Sequence, residues 1–187
     1  MKEKLILFLL LPISGIIFFI LGTKYKNGCK RNLLILYTIL LTVIDEFIKV
    51  LLAYIVNIKG LNFHGNLIYP MRNEFASSYG SFLNKNISMK VLICINIFMF
   101  IFSIVIYNVH IKKYGKSFWS DWFIIFTSAG LISSLIDKIF WGGSLDYINL
   151  ANNVLLDLKD IYMLFGIVLI ICEVILNEKV SLFKIRR

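Results

Sequence analysis

Asp45, Asp137, Asp146 and Asp160 sit beside or within long apolar runs of this chain. A charge at the centre of a membrane helix costs roughly 3 kcal/mol. Such residues are kept for a reason, and two of them suggest one. Asp146 follows "WGGS", a stretch flexible enough to bend the chain. Asp160 lies in "LLDLKDIYMLFG", at the head of the last apolar run. Two carboxylates brought to one point cannot both ionise easily, so they share a proton. The ionised member can then activate water while the protonated member donates to a substrate carbonyl. Each residue also has a plain reading. Asp146 suits an exposed loop, Asp157 a helix N-cap, and Asp160 the first turn of a helix, where the dipole favours an acid.

The remaining charges fit a support for such a pair. Asp45 and Lys49, in "TVIDEFIKVLL", are four residues apart and share one helix face. They suit an intrahelical salt bridge or a network behind a site. Adjacent helical residues point about 100° apart, so Asp137 and Lys138 need not pair with each other. Lys138 can snorkel to the interface, and Asp137 can meet Lys49 from the other run. No cofactor or metal is expected. Cys29, Cys94 and Cys172 are scattered, His64 and His110 are isolated, and no zinc-ligand spacing is present.

The elements that must carry these residues are long helices. Of the 187 residues 59% are hydrophobic, and the mean hydropathy is +0.81. A soluble domain has about 45–50% apolar residues. The excess lies in five runs, Leu5–Gly22, Leu33–Val56, Val91–Val109, Trp122–Trp141 and Leu158–Leu176. Each is near the ~20 residues that cross a bilayer as a helix. The net charge of +9 is explained by Lys and Arg in short loops rather than by nucleic acid. The basic loops "TKYKNGCKR" and "HIKKYGKS" and the tail "EKVSLFKIRR" are therefore expected in the cytoplasm. The first run resembles a signal peptide, but no small-residue cleavage site follows it. It is read as a retained helix with its N-terminus outside. Residues 57–90 and 142–157 then fall outside, and Asp146 and Asp160 lie near the outer face. The first outer segment is rich in Asn, Gly and aromatics, which suits a small hairpin or β-structure on the membrane surface.

These motifs, in this order, resemble the lipoprotein signal peptidase (signal peptidase II) family, as a divergent member. "DEFIK" (Asp45–Lys49) is similar to the family's Asp-Gln-x-x-Lys. "RNEFASSYGSF" keeps the Asn, as Asn73, of Asn-x-Gly-x-x-Phe. "SSLIDKIFWGGSLDY" keeps Asp137, Gly142 and Asp146, with Tyr147 in the aromatic place, of Gly-Asn-x-x-Asp-Arg, a Gly four residues on, and Val-x-Asp-Phe. "LDLKD" keeps Asp160 of Phe-Asn-x-Ala-Asp. The departures are Ser133-Ser134 for Gly-Asn, Lys138 for Arg, Phe75 for Gly, Asp157 for Asn and Lys159 for Ala. The added carboxylate of Asp157 should raise the apparent pKa values of the cluster, unless Lys159 or Lys138 offsets it.

The resemblance implies that Asp146 and Asp160 are the catalytic pair, and that Asn73, Ser134, Asp137, Lys138 and Asp157 support the site or the substrate, backed by Asp45 and Lys49. It implies a substrate: a prolipoprotein whose lipobox cysteine carries diacylglyceryl, cut just before that cysteine. The expected fold is an all-α integral membrane protein of five transmembrane helices with a small extracytoplasmic β-like cradle. It is one membrane domain over residues 1–187, with 5–22 an extra helix, 33–176 the family core and 57–90 the outer segment. It is expected as a monomer in a bacterial cytoplasmic membrane, in contact with lipid and not with nucleic acid. Two rivals remain. A non-cleaving homologue would hold lipopeptide without product, and a small transporter subunit would depend on Asp45, Lys49 and Asp137 instead.

Overall fold

The computed structural model describes residues 2–59, 68–73, 88–151, 154–177 and 179–180. Among these residues there are five α-helices, a π-type turn and a small sheet. Helix α1 is Lys2–Lys24, α2 Arg31–Lys59, α3 Met89–Tyr114, α4 Phe118–Ile136 and α5 Leu158–Leu176. All five apolar runs are helical. The helices extend past them because caps, not hydropathy, set the ends. Ser117 and Ser120 form a reciprocal capping box that starts α4 at Phe118, ahead of the apolar run. Ser88 caps α3. The basic segment after Val109 is mostly the last turn of α3, which ends at Gly115 with a positive φ (86°).

Among the described residues, Met89–Tyr114 and Phe118–Trp141 are long and apolar enough to cross a membrane. The outward face of α3 is oily: Phe98, Ile101, Phe102, Val105 and Val109 are exposed. Helix α2 carries Asp45, Glu46 and Lys49 near its middle, and α5 carries Lys159, Asp160 and Glu173. The charges that interest us are what make these two helices less apolar.

Helix α4 is the centre of the bundle. It packs against α2, α3 and α5, and most of its residues are buried. The core joins Phe18 of α1, Trp119, Phe126 and Ala129 of α4, and Tyr162, Val168 and Leu169 of α5. Helix α1 lies along α4 and α5 and reaches the sheet.

The C-terminal end of α4 positions the site. Past Ile136 the helix widens into a π-type turn, Asp137–Trp141, closed by the Gly142 N–H on the Asp137 carbonyl. Gly142 is left-handed (φ 62°), a conformation that glycine adopts without a steric penalty. The chain there reverses into a strand. Strand β2, Ser144–Ala151, lies between β1, Ile68–Asn73, and β3, Val154–Leu156, and both pairings are antiparallel. Met71 pairs with Asp146 and Asn73 with Ser144. The outer segment therefore contributes one strand of a three-stranded sheet; residues 60–67 and 74–87, including Phe75, lie outside the described residues.

Candidate active site

Four elements meet where the sheet joins the bundle: the middle of α2, the π-turn of α4, strand β2 and the first turn of α5. Asp146 is central in this arrangement. It is on a strand and nearly buried, so the exposed-loop reading is wrong. Pairing with β1, distant in sequence, pulls it in. Asp157 and Asp160 hold the positions that helix physics assigns them. Asp157 caps α5, accepting from the Asp160 N–H at 3.2 Å, and the Asp160 carboxylate accepts from the Asp157 N–H at 3.3 Å. These caps also deliver two acids to the site. Carboxylate oxygens of Asp146, Asp157 and Asp160 all lie within 4.8 Å of one another.

A ladder of alternating charge runs behind them. Lys49, fully buried, donates to Asp45 at 2.7 Å and to Asp137 at 2.8 Å, and lies 3.1 Å from Asp157. So Asp45 and Lys49 do form an intrahelical pair, and Asp137 does meet Lys49 from the neighbouring helix. Lys159 continues the ladder. Its ammonium is 2.9 Å from Asp137, bonds Asp157 directly, and lies 3.8 Å from Asp146. It also donates to the Ser144 hydroxyl, which donates to Asp146 at 2.6 Å. Opposite charges this close and this dry offset one another's desolvation.

Lys138 donates to the side chain and carbonyl of Ser134, at 2.6 and 3.2 Å. It turns back along its own helix rather than joining the aspartates as an ion pair. Asn73 stands opposite Ser144 in the sheet register; its side chain lies outside the described residues. Tyr147 binds the ends together, donating to Asp45 at 3.4 Å and accepting from the Leu158 N–H at 3.3 Å. Burial, with Asp45 beside it, pushes the Tyr147 hydroxyl above its ordinary range, so it remains a proton donor.

Three clustered carboxylates are a set that a divalent cation can bridge. Here Lys159 places an ammonium on Asp157 and near Asp146, so the cluster carries its own counter-ion. Reading the sequence for acids alone misses Ser144 and the role of Lys159. Ser144 shares the face of Asp146 because residues two apart on a strand do, but nothing in the sequence marks that strand. Lys159, the expected offset to the Asp157 charge, does bond that carboxylate; its contacts with Asp137, Ser144 and Asp146 carry no signal, because those residues come from other elements.

The family model described as Signal peptidase (SPase) II matches residues 37–176. This helical bundle, with acids gathered at one end, belongs to the class of membrane-embedded peptidases. In particular, the chain belongs to the signal peptidase II family, whose members process lipoprotein signal peptides. Among solved structures the chain is similar to one titled "Bacterial membrane enzyme structure by the in meso method at 2.3 A resolution". The identity is 21% and the TM-score 0.51, over 79% of this chain and 89% of that one; this likeness concerns the fold. A search of curated proteins finds no match.

Proposed function

We propose that this chain is a multi-pass aspartic endopeptidase of a bacterial cytoplasmic membrane. It removes signal peptides from diacylglyceryl-modified prolipoproteins, cutting just before the lipidated cysteine. The observation that carries this reading is the approach of Asp146 and Asp160, within 4.8 Å across the junction of β2 and α5. One carboxylate, ionised, takes a proton from water as its oxygen attacks the scissile carbonyl. The other, protonated, donates to the carbonyl oxygen. As the tetrahedral intermediate collapses, the first carboxylate gives the proton it took from water to the leaving cysteine amine, and the second recovers its own from the hydroxyl as the carbonyl re-forms. Asp137, Lys49 and Asp45 hold the pair in place, and Asn73, Ser134 and Lys138 serve the site or the substrate. We read the chain as one monomeric domain of five spans, with residues 5–22 added to a family core and the site near the outer face.

The test is cleavage of a diacylglyceryl-modified prolipoprotein by the full-length protein in detergent. Asp146→Asn and Asp160→Asn should each lower kcat by about 10³-fold or more, since acid and base act as a unit. Wild-type cleavage that survives either change would sink the dyad. A non-cleaving lipopeptide-binding role is favoured by one feature, the third carboxylate of Asp157 inside the cluster. That reading predicts retained substrate and no product.

A further inference from the structure

Three residues at the site depart from the family pattern in the same direction. Ser144 stands at the place of the Val of Val-x-Asp-Phe, Asp157 at that of an Asn and Lys159 at that of an Ala. Each exchanges a neutral or apolar side chain for a more polar one. They are far enough apart in sequence to belong to two elements, yet they bond to one another: Lys159 to Asp157, Lys159 to Ser144, and Ser144 on to Asp146. The pair adds one charge of each sign, so the net charge is unchanged.

The two acids of the proposed dyad stand differently towards this trio. Asp146 Oδ1 receives the Ser144 hydroxyl at 2.6 Å and has the Lys159 ammonium at 3.8 Å. A hydroxyl polarised by an ammonium donates best to an anion. Asp160 has the Asp157 amide on its carboxylate and the Asp157 carboxylate in the same cluster. Among the described residues no lysine comes within ion-pair distance of it; Lys159 and Lys138 act on it through space, and burial together with the Asp157 carboxylate outweighs them. A nearby anion disfavours its ionisation.

From this asymmetry we infer that Ser144, Asp157 and Lys159 form a positioning unit that holds Asp146 as the ionised, water-activating member of the dyad and leaves the shared proton on Asp160. The inference rests on the aspartic-peptidase reading above and assigns its two roles. Asp157 anchors the ammonium, and Ser144 carries its influence to Asp146. The packed elements carry other charged groups. Asp45, Glu46 and Lys49 on α2 and Asp137 on the π-turn form the ladder behind. Lys138 is turned to Ser134. Strand β1 brings Arg72 opposite Leu145, and α1, which also reaches β2, carries Lys2, Glu3 and Lys4 at its head.

The experiment uses the full-length protein in detergent with two readouts. The first is the pH profile of kcat/KM on a diacylglyceryl-modified prolipoprotein. The second needs no activity: infrared titration of ¹³C-aspartate-labelled protein, with Asp146→Asn and Asp160→Asn assigning the bands. In wild type, Asp146 should ionise at lower pH than Asp160. Lys159→Met should move the Asp146 step, and the acid limb of the profile, upward by about one pH unit or more, the usual effect of a cation at this range. Lys159→Arg keeps the charge and should restore the limb. Asp157→Asn with Lys159→Ala removes both charges and should return it part of the way. Should Lys159→Met fail to fold, Ser144→Val, which alters no charge, should shift the same step upward by less. An Asp146 step that stays put, or Asp160 ionising first, overturns the assignment even if cleavage occurs. Absent cleavage with the expected infrared order would instead sink the peptidase reading and leave the unit standing.

Discussion

Lys49 shows most directly how single residues hold this molecule together. Its side chain is fully buried and touches carboxylates of Asp45, Asp137 and Asp157. Removing one partner of a buried ion pair costs about 3–5 kcal/mol, because the other charge remains without compensation. Lys49→Met should therefore lower stability by about that amount, read as a fall in the thermal midpoint in detergent. Most of the damage should centre on Asp45. Asp137 and Asp157 still have Lys159, while Asp45 keeps only the long hydrogen bond from Tyr147. Asp45→Asn added to Lys49→Met should thus recover part of the loss. Equal midpoints for the single and double variants would refute this division. The Asp45–Lys49 pair was legible from spacing, since four residues on a helix fix the geometry. The contacts of Lys159 with Asp137, Ser144 and Asp146 were not, because they depend on where a strand and one other helix come to rest.

At the scale of elements, length and oiliness made all five helices legible, and the basic segments marked one shared end. The strand under Asp146 was not legible. "SLDYINLA" has no long apolar alternation, and its register is set by β1, some seventy residues earlier. How α1 attaches was hidden too, because one of its closest contacts is glycine-to-ring. A Cβ on Gly22 would lie 2.2 Å from the Trp119 ring, and the Trp119 indole donates to the Phe18 carbonyl at 3.0 Å. Gly22→Ala should push that ring aside and cost about 1–3 kcal/mol, as overpacking does. The loss should appear as a lower thermal midpoint with a shift in tryptophan emission. Trp119→Leu clears the space, so the double variant should lose less than the sum of the singles. Strict additivity would mean that Gly22 and Trp119 are not in contact.

For the whole molecule the question is which way it faces. Two polar clusters cap opposite ends of the bundle. At the end away from the aspartates, Glu173 takes hydrogen bonds from Ser117 and Asn177 and pairs with His110, while Asp121 takes them from Tyr107 and the Cys29 amide. Lys24, Lys26, Lys30, Arg31, Lys112, Lys113 and Lys116 all gather at that end, as cytoplasmic loops require. We propose on that basis that the aspartate cluster faces outward, where a secreted lipoprotein's cleavage site would arrive. A membrane-impermeant maleimide tests this on intact cells. Ser88→Cys, at the exposed head of α3, should label from outside, and Lys26→Cys only after permeabilisation. The native thiols give little background. Cys172 is buried, Cys94, exposed on α3 near Ser88, is changed to Ala in both variants, and burial with Asp121 nearby raises the Cys29 thiol, which leaves little reactive thiolate. Labelling of Lys26→Cys in intact cells would invert the topology and place the aspartates on the cytoplasmic side, where no signal peptide awaits removal.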